Sequence, residues 1–408
     1  MPNDSPGGGH RPLPQRPNLR HLRDQAKDLL RSGGAKSLTH AQYTIAKSYG
    51  FPSWSKLRAH IASLNEAGQL KAAIDKNDLE QVKALMTRNP ALHQARIGYA
   101  HNGPLTWVAE CRIPWQPPDA TRLAMAEWMI ANGSDVHQGG DGPLMRAALR
   151  GERIPMMELL IAHGADVNAL WNGNFPILFA PCESVDPVAI QWLLRHGADP
   201  NCARSGSPDT ALDYLIKSYT RSPKLAACID LLREAGGTTR YGLPGVLETI
   251  QARVGELAAL TEADPDLIHR RFPELDCGTS GARRLTLQGA TLLHVAAEYG
   301  SVEAAKLLLF RGAQVNARAS IDDTGVGGQT AIFHCVTQSD DHGLAMTQLL
   351  LDSGADLSLR AKIPGHYDSQ TDFVDCTPLG YALRFPGTEF PGANQKTINL
   401  LRECGAKD

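Results

Sequence analysis

The chain has 408 residues, 42% of them hydrophobic and 21% charged, with a formal net charge of −2. Those proportions fit a chain with a buried core, and no apolar run approaches the roughly 18 residues that a membrane span requires. Eight scattered cysteines with no CxxC pair argue against a disulfide framework or a zinc ribbon, and they fit a reducing, cytosolic setting. The net charge conceals an asymmetry. Residues 1–60 carry ten Lys and Arg against three Asp and Glu, a balance of +7, which leaves −9 for the remainder. Opposite bias in two stretches predicts two modules with different roles.

Residues 1–16, rich in Pro and Gly and without an apolar centre, predict a disordered tail rather than a signal peptide. Residues 17–64 predict three short helices. Leu19, Leu22, Ala26, Leu29 and Leu30 stripe the first, which Gly33 and Gly34 end. Ala41, Ile45, Ala46 and Tyr49 mark the second, and Trp54, Leu57, Ile61 and Leu64 the third. Arg20, Arg23, Lys27, Lys47, Lys56 and Arg58 make this module basic. The spacing from Ala46 to Gly50 loosely fits a helix-turn-helix, whose basic residues would meet phosphates. Leu57 falls one position late for that motif, and the simpler reading is a solvated basic face.

Residues 66–97 predict a helix pair, from Leu70, Ala73 and Ile74 and then Leu79, Val82, Leu85 and Met86, closed by a proline turn at NPALHQ. Further pairs follow near 103–137, 142–170, 173–202 and 207–240, opening at GPLTWVA, GPLMRAA, FPILFA and DTALDYL. Pro near such an opening suits the first helical turn, where its missing N–H costs nothing. The first of these pairs is swollen by RIPWQPPDA, a stiff loop that carries Trp115. Residues 243–270 repeat the opening pattern with Val246, Leu247, Ile250, Val254, Leu257 and Leu260 before DPDLIHR. A second opening unit predicts two sub-arrays, 66–240 and 241–406.

The clearest unit is GATLLHVAAEYGSVEAAKLLLFRGAQVNAR, residues 289–318. Leu292, Leu293, Val295, Ala296 and Ala297 give its first helix an apolar face, and Gly300 breaks it. Ser301 is placed to cap a second helix carrying Val302, Ala305, Leu308 and Leu309, which Gly312 ends. The same stop recurs at Gly133, Gly164, Gly197, Gly236, Gly312, Gly354 and Gly405, at intervals of 31, 33, 39, 76, 42 and 51 residues, the 76 spanning two units. A unit this short cannot bury its apolar face alone, so it requires serial neighbours.

This unit resembles an ankyrin repeat, with Thr291, Leu293, His294, Ala296, Ala297, Gly300, Gly312, Ala313, Val315 and Asn316 at family positions and Leu292 where the family usually has Pro. The resemblance implies an all-α solenoid of about nine helix-turn-helix units with hairpin or loop fingers, preceded by a small helical domain. It implies a hairpin-bridging role for His294. It also implies binding on a concave face formed by finger tips and the outer ends of the first helices. The passage AQYTIAKSYGFPSWSKLRAHI resembles a short N-terminal module found ahead of ankyrin arrays in bacterial proteins.

The last two units, 328–360 and 375–406, open with GQTAIFHCV and DCTPLGYAL. Long connections at 271–288, 320–328 and 361–375 each precede a first helix, so they should project from one edge. Loops on a rigid scaffold are where function concentrates, and aromatic and arginine side chains there suit binding. The candidates on these loops are Phe272, Arg284, Asp322, Asp323, His366, Tyr367 and Phe373, with Arg283 and Asp368 beside them. Those ending the first helices are Glu110, Arg150, Lys217, Glu298, Tyr299, Gln338, Arg384 and Phe385, all expected on an exposed face.

Signals for chemistry are thin. TGVGG at 324–328 lacks the Lys and Ser/Thr of a phosphate loop, and no nucleophile–base pair is legible. Asp322, Asp323, His334, His342, His366 and Asp368 match no metal-ligand spacing. The expectation is a non-catalytic cytosolic scaffold for a protein partner, with no cofactor and no membrane contact. The acidic bias of the array favours a partner with a basic patch. The alternative is a nucleic-acid-associated adaptor that uses the basic module. A third reading places an enzyme site among loops 271–375.

Overall fold

The computed structural model describes residues 11, 13–14, 18–63, 66–98, 102–111, 116–218, 221–278, 285–364, 373–384 and 394–407. Three helices come first: α1 (Leu19–Arg31), α2 (Leu38–Ser48) and α3 (Trp54–Ser63). Asn18 accepts the Arg20 N–H to start α1, and Ser37 accepts the His40 N–H to start α2, as short polar side chains at N-caps do. Leu22, Ala46, Tyr49, Leu57 and Ile61 form their core. Each fully buried leucine contributes roughly 1.5–3 kcal/mol. Little of the tail is described, but Leu13 packs against that core, and the Arg11 N–H donates to the Ser48 carbonyl at 2.8 Å.

Among the described residues nine helix pairs follow. They are α4 (Glu66–Asp75) with α5 (Leu79–Arg88), α6 (Pro104–Glu110) with α7 (Ala120–Ala131), and α8 (Gly142–Ala147) with α9 (Ile154–Ala162). Next come α10 (Phe179–Ser184) with α11 (Pro187–Arg195), α12 (Ala211–Lys217) with α13 (Leu225–Glu234), and α14 (Val246–Ile250) with α15 (Val254–Ala263). The last are α16 (Leu292–Tyr299) with α17 (Val302–Phe310), α18 (Ile332–Cys335) with α19 (Leu344–Asp352), and α20 (Pro378–Leu383) with α21 (Gln395–Glu403). The pairs α4/α5 and α14/α15 each run into a 3₁₀ turn, Pro90–Gln94 and Pro265–Ile268, so the shared opening pattern is a shared structure. Two short hairpins are also present: β1 (Leu170–Trp171) with β2 (Phe175–Pro176), and β3 (Ala361–Pro364) with β4 (Phe373–Cys376), both antiparallel.

The chain forms two compact units, one of residues 1–147 with 155–166 and the other of 148–154 with 167–408. The residues on both sides of the anticipated division at 240/241 fall in the second unit.

All seven helix-stopping glycines adopt φ between +84° and +111°, a region that favours a residue without Cβ. Just beyond the stop, an asparagine fastens one finger to the next. Asn168, Asn201 and Asn316 each donate their side-chain amide to the carbonyl of the following stop glycine, Gly197, Gly236 and Gly354, at 2.9, 3.0 and 3.0 Å. Each also accepts a backbone N–H two residues past that glycine, from Asp199, Thr238 and Asp356, at 2.8, 2.9 and 2.8 Å. The GADVN-type motif is therefore a stop and a staple in one.

Two local expectations are corrected. Pro176 lies in β2, three residues before α10 begins, because the segment first closes a hairpin through the Trp171–Phe175 pairing. Ser301 makes no side-chain cap bond; its hydroxyl donates instead to the Ile250 carbonyl of the preceding pair at 3.3 Å.

Candidate functional site

In the second unit the three long connections lie side by side where they are described. The Ser320 N–H donates to the Gly289 carbonyl at 3.0 Å, and the Gln329 side-chain amide to the Thr286 carbonyl at 3.2 Å. Further along, the Gly327 N–H donates to the Lys362 carbonyl at 2.7 Å, and the Lys362 ammonium to the Thr324 carbonyl at 3.2 Å. Segment 320–328 folds back on itself through an Ile321–Gly327 bridge. Within it the Asp322 carboxylate accepts the Thr324 hydroxyl at 2.7 Å and the Thr324 and Val326 N–H groups, and these bonds, the hydroxyl first, lower its pKa.

In the last hairpin the strand period of two sorts the side chains: Ala361, Ile363, Val374 and Cys376 are buried, while Lys362, Phe373 and Asp375 face out. Ile321 is 56% and Phe373 43% exposed, so two large apolar side chains stand in solvent on this edge beside Arg360, Lys362, Asp322 and Asp323. Arg284, His366, Tyr367 and Phe385, together with Trp115, lie outside the described residues.

Several candidates expected to be exposed are not. Phe272 is buried, its backbone bridged to Ala290. Glu110, Glu298 and Gln338 are buried as well, whereas Arg150 and Arg384 are exposed and Lys217 and Tyr299 are half-buried. The physical reason is the shortness of the first helices. Their terminal carbonyls lack intrahelical partners, and side chains of the next unit cover them. The Ser184 hydroxyl donates to the Leu149 carbonyl at 2.6 Å, Ser218 to Glu183 at 3.2 Å, the Gln338 amide to Glu298 at 3.0 Å, and Asn394 to Val336 at 2.7 Å.

Glu298 itself sits in a buried charged network that the sequence did not disclose. Its carboxylate accepts Arg221 through Nη2 at 2.8 Å and Nε at 3.3 Å, and His334 Nδ1 on its other oxygen at 2.8 Å. Arg221 lies over the Tyr299 ring at 4.6 Å and also donates to the Ser218 carbonyl. Burial works against its charge, but the Glu298 carboxylate outweighs that and raises its pKa. The Tyr299 hydroxyl donates to the Ile216 carbonyl at 2.7 Å. Glu298 and His334 are both wholly buried and Arg221 largely so, and the network braces the fold.

His294, next to it, is neutral by geometry. Nδ1 receives the Thr291 N–H, so the proton sits on Nε2 and is donated to the Gln329 carbonyl at 3.1 Å, one finger further on. Burial, followed by the charge of His334, lowers its pKa to about 3.

Lys217 belongs to a second cluster. Lys217 and Arg240 each pair with both Asp209 and Asp276, at 2.8 to 3.2 Å, and the Tyr241 hydroxyl donates to Asp276. Burial opposes ionisation of Asp276, yet the bonds from Arg240 and Tyr241 hold its pKa down to about 2. In the N-terminal module Arg20, Arg23, Lys27, Lys47, Lys56 and Arg58 are all exposed, spread over three helices, with Lys27 3.7 Å from Asp24. Among the described residues no group of three His, Cys, Asp or Glu is arranged to hold a metal ion, and no helix is long and apolar enough to cross a membrane.

Residues 258–361 match the sequence profile of ankyrin repeats in three copies, and residues 139–172 match that of a single ankyrin repeat. A solved structure similar to the chain is the ankyrin repeat domain of human ASB11, at 23% identity over 63% of this chain and 96% of that one, with a TM-score of 0.32. No curated protein matches. The chain thus carries ankyrin repeats, and its fold is an all-α ankyrin-repeat solenoid.

Proposed function

We propose that the protein is a non-catalytic scaffold that binds a protein partner along its finger edge. Ankyrin repeats in general mediate protein–protein contacts. The observation that carries the reading for this chain is the exposure of Ile321 and Phe373 on an edge rigidified by hydrogen bonds between successive fingers. Apolar side chains ringed by charges on a fixed scaffold are what a binding hot spot needs. Asp322, Asp323 and the exposed Arg384 would add contacts at its margin, while the buried Glu298, Gln338 and Phe272 would support the fingers and first helices of the same unit.

The test is a crosslinking pull-down with the full chain and with Ile321→Asp/Phe373→Asp. A partner recovered by the parent chain and lost by the double variant supports the edge. Equal recovery by both refutes it. We also place the protein in a reducing, cytosolic compartment of a bacterial cell, on its free cysteines and the character of its first module. The six exposed basic residues on α1 to α3 support a second reading, contact with nucleic acid. That reading requires retention on DNA or RNA at low salt that falls steeply as salt rises.

A further inference from the structure

Between the turn at 268–271 and the finger at 314–318 lies a cleft of about 280 Å³, lined among others by His269, Arg271, Thr291, Gln314, Asn316 and Arg318. No lining residue is acidic. The array's charge balance is negative, and neighbouring arginines do pair with carboxylates: Arg270 with Asp264 at 2.7 Å and Arg253 with Asp230. No described residue forms an ion pair with Arg271 or His269, and both are exposed.

The walls are fixed. Arg318 donates through Nε to the Gly328 carbonyl at 3.0 Å and through Nη2 to the Arg360 carbonyl, which hold its position without neutralising it. Asn316 is held by its staple to Gly354 and Asp356. Thr291 is tied to the buried His294 ring, which the Arg271 charge also helps to keep neutral.

We propose that this cleft is an oxyanion subsite, taking a carboxylate or phosphoryl group on the uncompensated charge of Arg271, with Arg318 and His269 supporting it and Asn316 and Gln314 as polar walls. Guanidinium groups match the geometry of both anions, and a charge held in a polar recess is worth more than one on an open surface. The inference is independent of the protein-binding reading, since a free phosphate would satisfy it equally.

The test is a titration of the full chain, labelled with ¹⁵N-arginine, at low salt. One arm uses inorganic phosphate and the other an acidic peptide with blocked ends, and both follow the Nε–Hε resonances. The expected result is a saturable shift at Arg271. Arg271→Gln weakens the binding tenfold or more, as loss of a charge-assisted bond does, while Arg270→Gln, whose partner is Asp264, changes it less than about twofold. Tighter binding of the peptide assigns the anion to a protein side chain, and tighter binding of phosphate to a small ligand; either supports the subsite. No saturable shift with either probe overturns it, as do equal losses in the two variants.

Discussion

At the scale of single residues, hydrogen bonds that run from one repeat to the next carry the argument. Asn316 satisfies both a carbonyl and an N–H of the following finger. Asn316→Ala removes both bonds, so it should cost about 1–3 kcal/mol, read as a lower urea midpoint with an unchanged slope. His294 gives a pH signature. Its folded pKa, about 3, lies below the ordinary 6.5, so between those values the unfolded chain binds a proton that the folded chain refuses. This contribution is fully present above pH 6.5 and is lost as pH falls towards 3, at up to about 1.4 kcal/mol per pH unit. His294→Leu should be less stable at pH 7.5, having lost the bond to Gln329, yet lose less on going to pH 4.5. A variant whose urea midpoints fall just as steeply would show that His294 is not held neutral.

At the scale of elements, the finger of residues 271–278 is anchored by charge. Asp276 is the hub of the cluster with Lys217, Arg240 and Tyr241. Because its folded pKa is depressed, the stabilisation is present above pH 3.8 and disappears as pH falls through about 2. Asp276→Asn should cost about 1 kcal/mol, given the half-exposed carboxylate, and should raise amide exchange locally over 272–277. What the sequence made legible at this scale was whatever is encoded within about ten residues: the apolar period of each helix, the proline turns after α5 and α15, and the glycine stops. Glu298 was misplaced because its partners are 77 and 36 residues away, on two other repeats. Helix phase tells which way a short helix end points, but not which side chain closes over it. For the finger candidates the sequence located the edge, and Ile321, which it did not single out, proves the more exposed apolar group there.

For the whole molecule, the Arg221–Glu298–His334 network joins the connection between α12 and α13 to α16 and α18 across the intervening α14/α15 pair. Glu298→Gln strips the charge from a fully buried site and leaves Arg221 almost wholly buried, so thermal or urea unfolding should register a loss of about 3–5 kcal/mol. Replacing Arg221 by Met in the same chain should recover part of that loss. A double variant worse than the single one would argue against a charge-based origin. The asparagine staples give this network a wider meaning. They fasten the fingers on both sides of residues 241–271, at Asn201 and Asn316, but α14/α15 ends in a 3₁₀ turn in place of a stapled finger. Across that stretch the polar fastening includes ion pairs, Arg253 with Asp230, Lys217 and Arg240 with Asp276, and Arg221 with Glu298. Neutral amide bonds are indifferent to acid, whereas carboxylate pairs are not. The stretch therefore behaves as a fuse in a zipper: as pH falls below 3.8 towards 2, the array should part there first, and limited proteolysis by an acid protease in that range should cut near residue 240 and release two fragments that keep their helices.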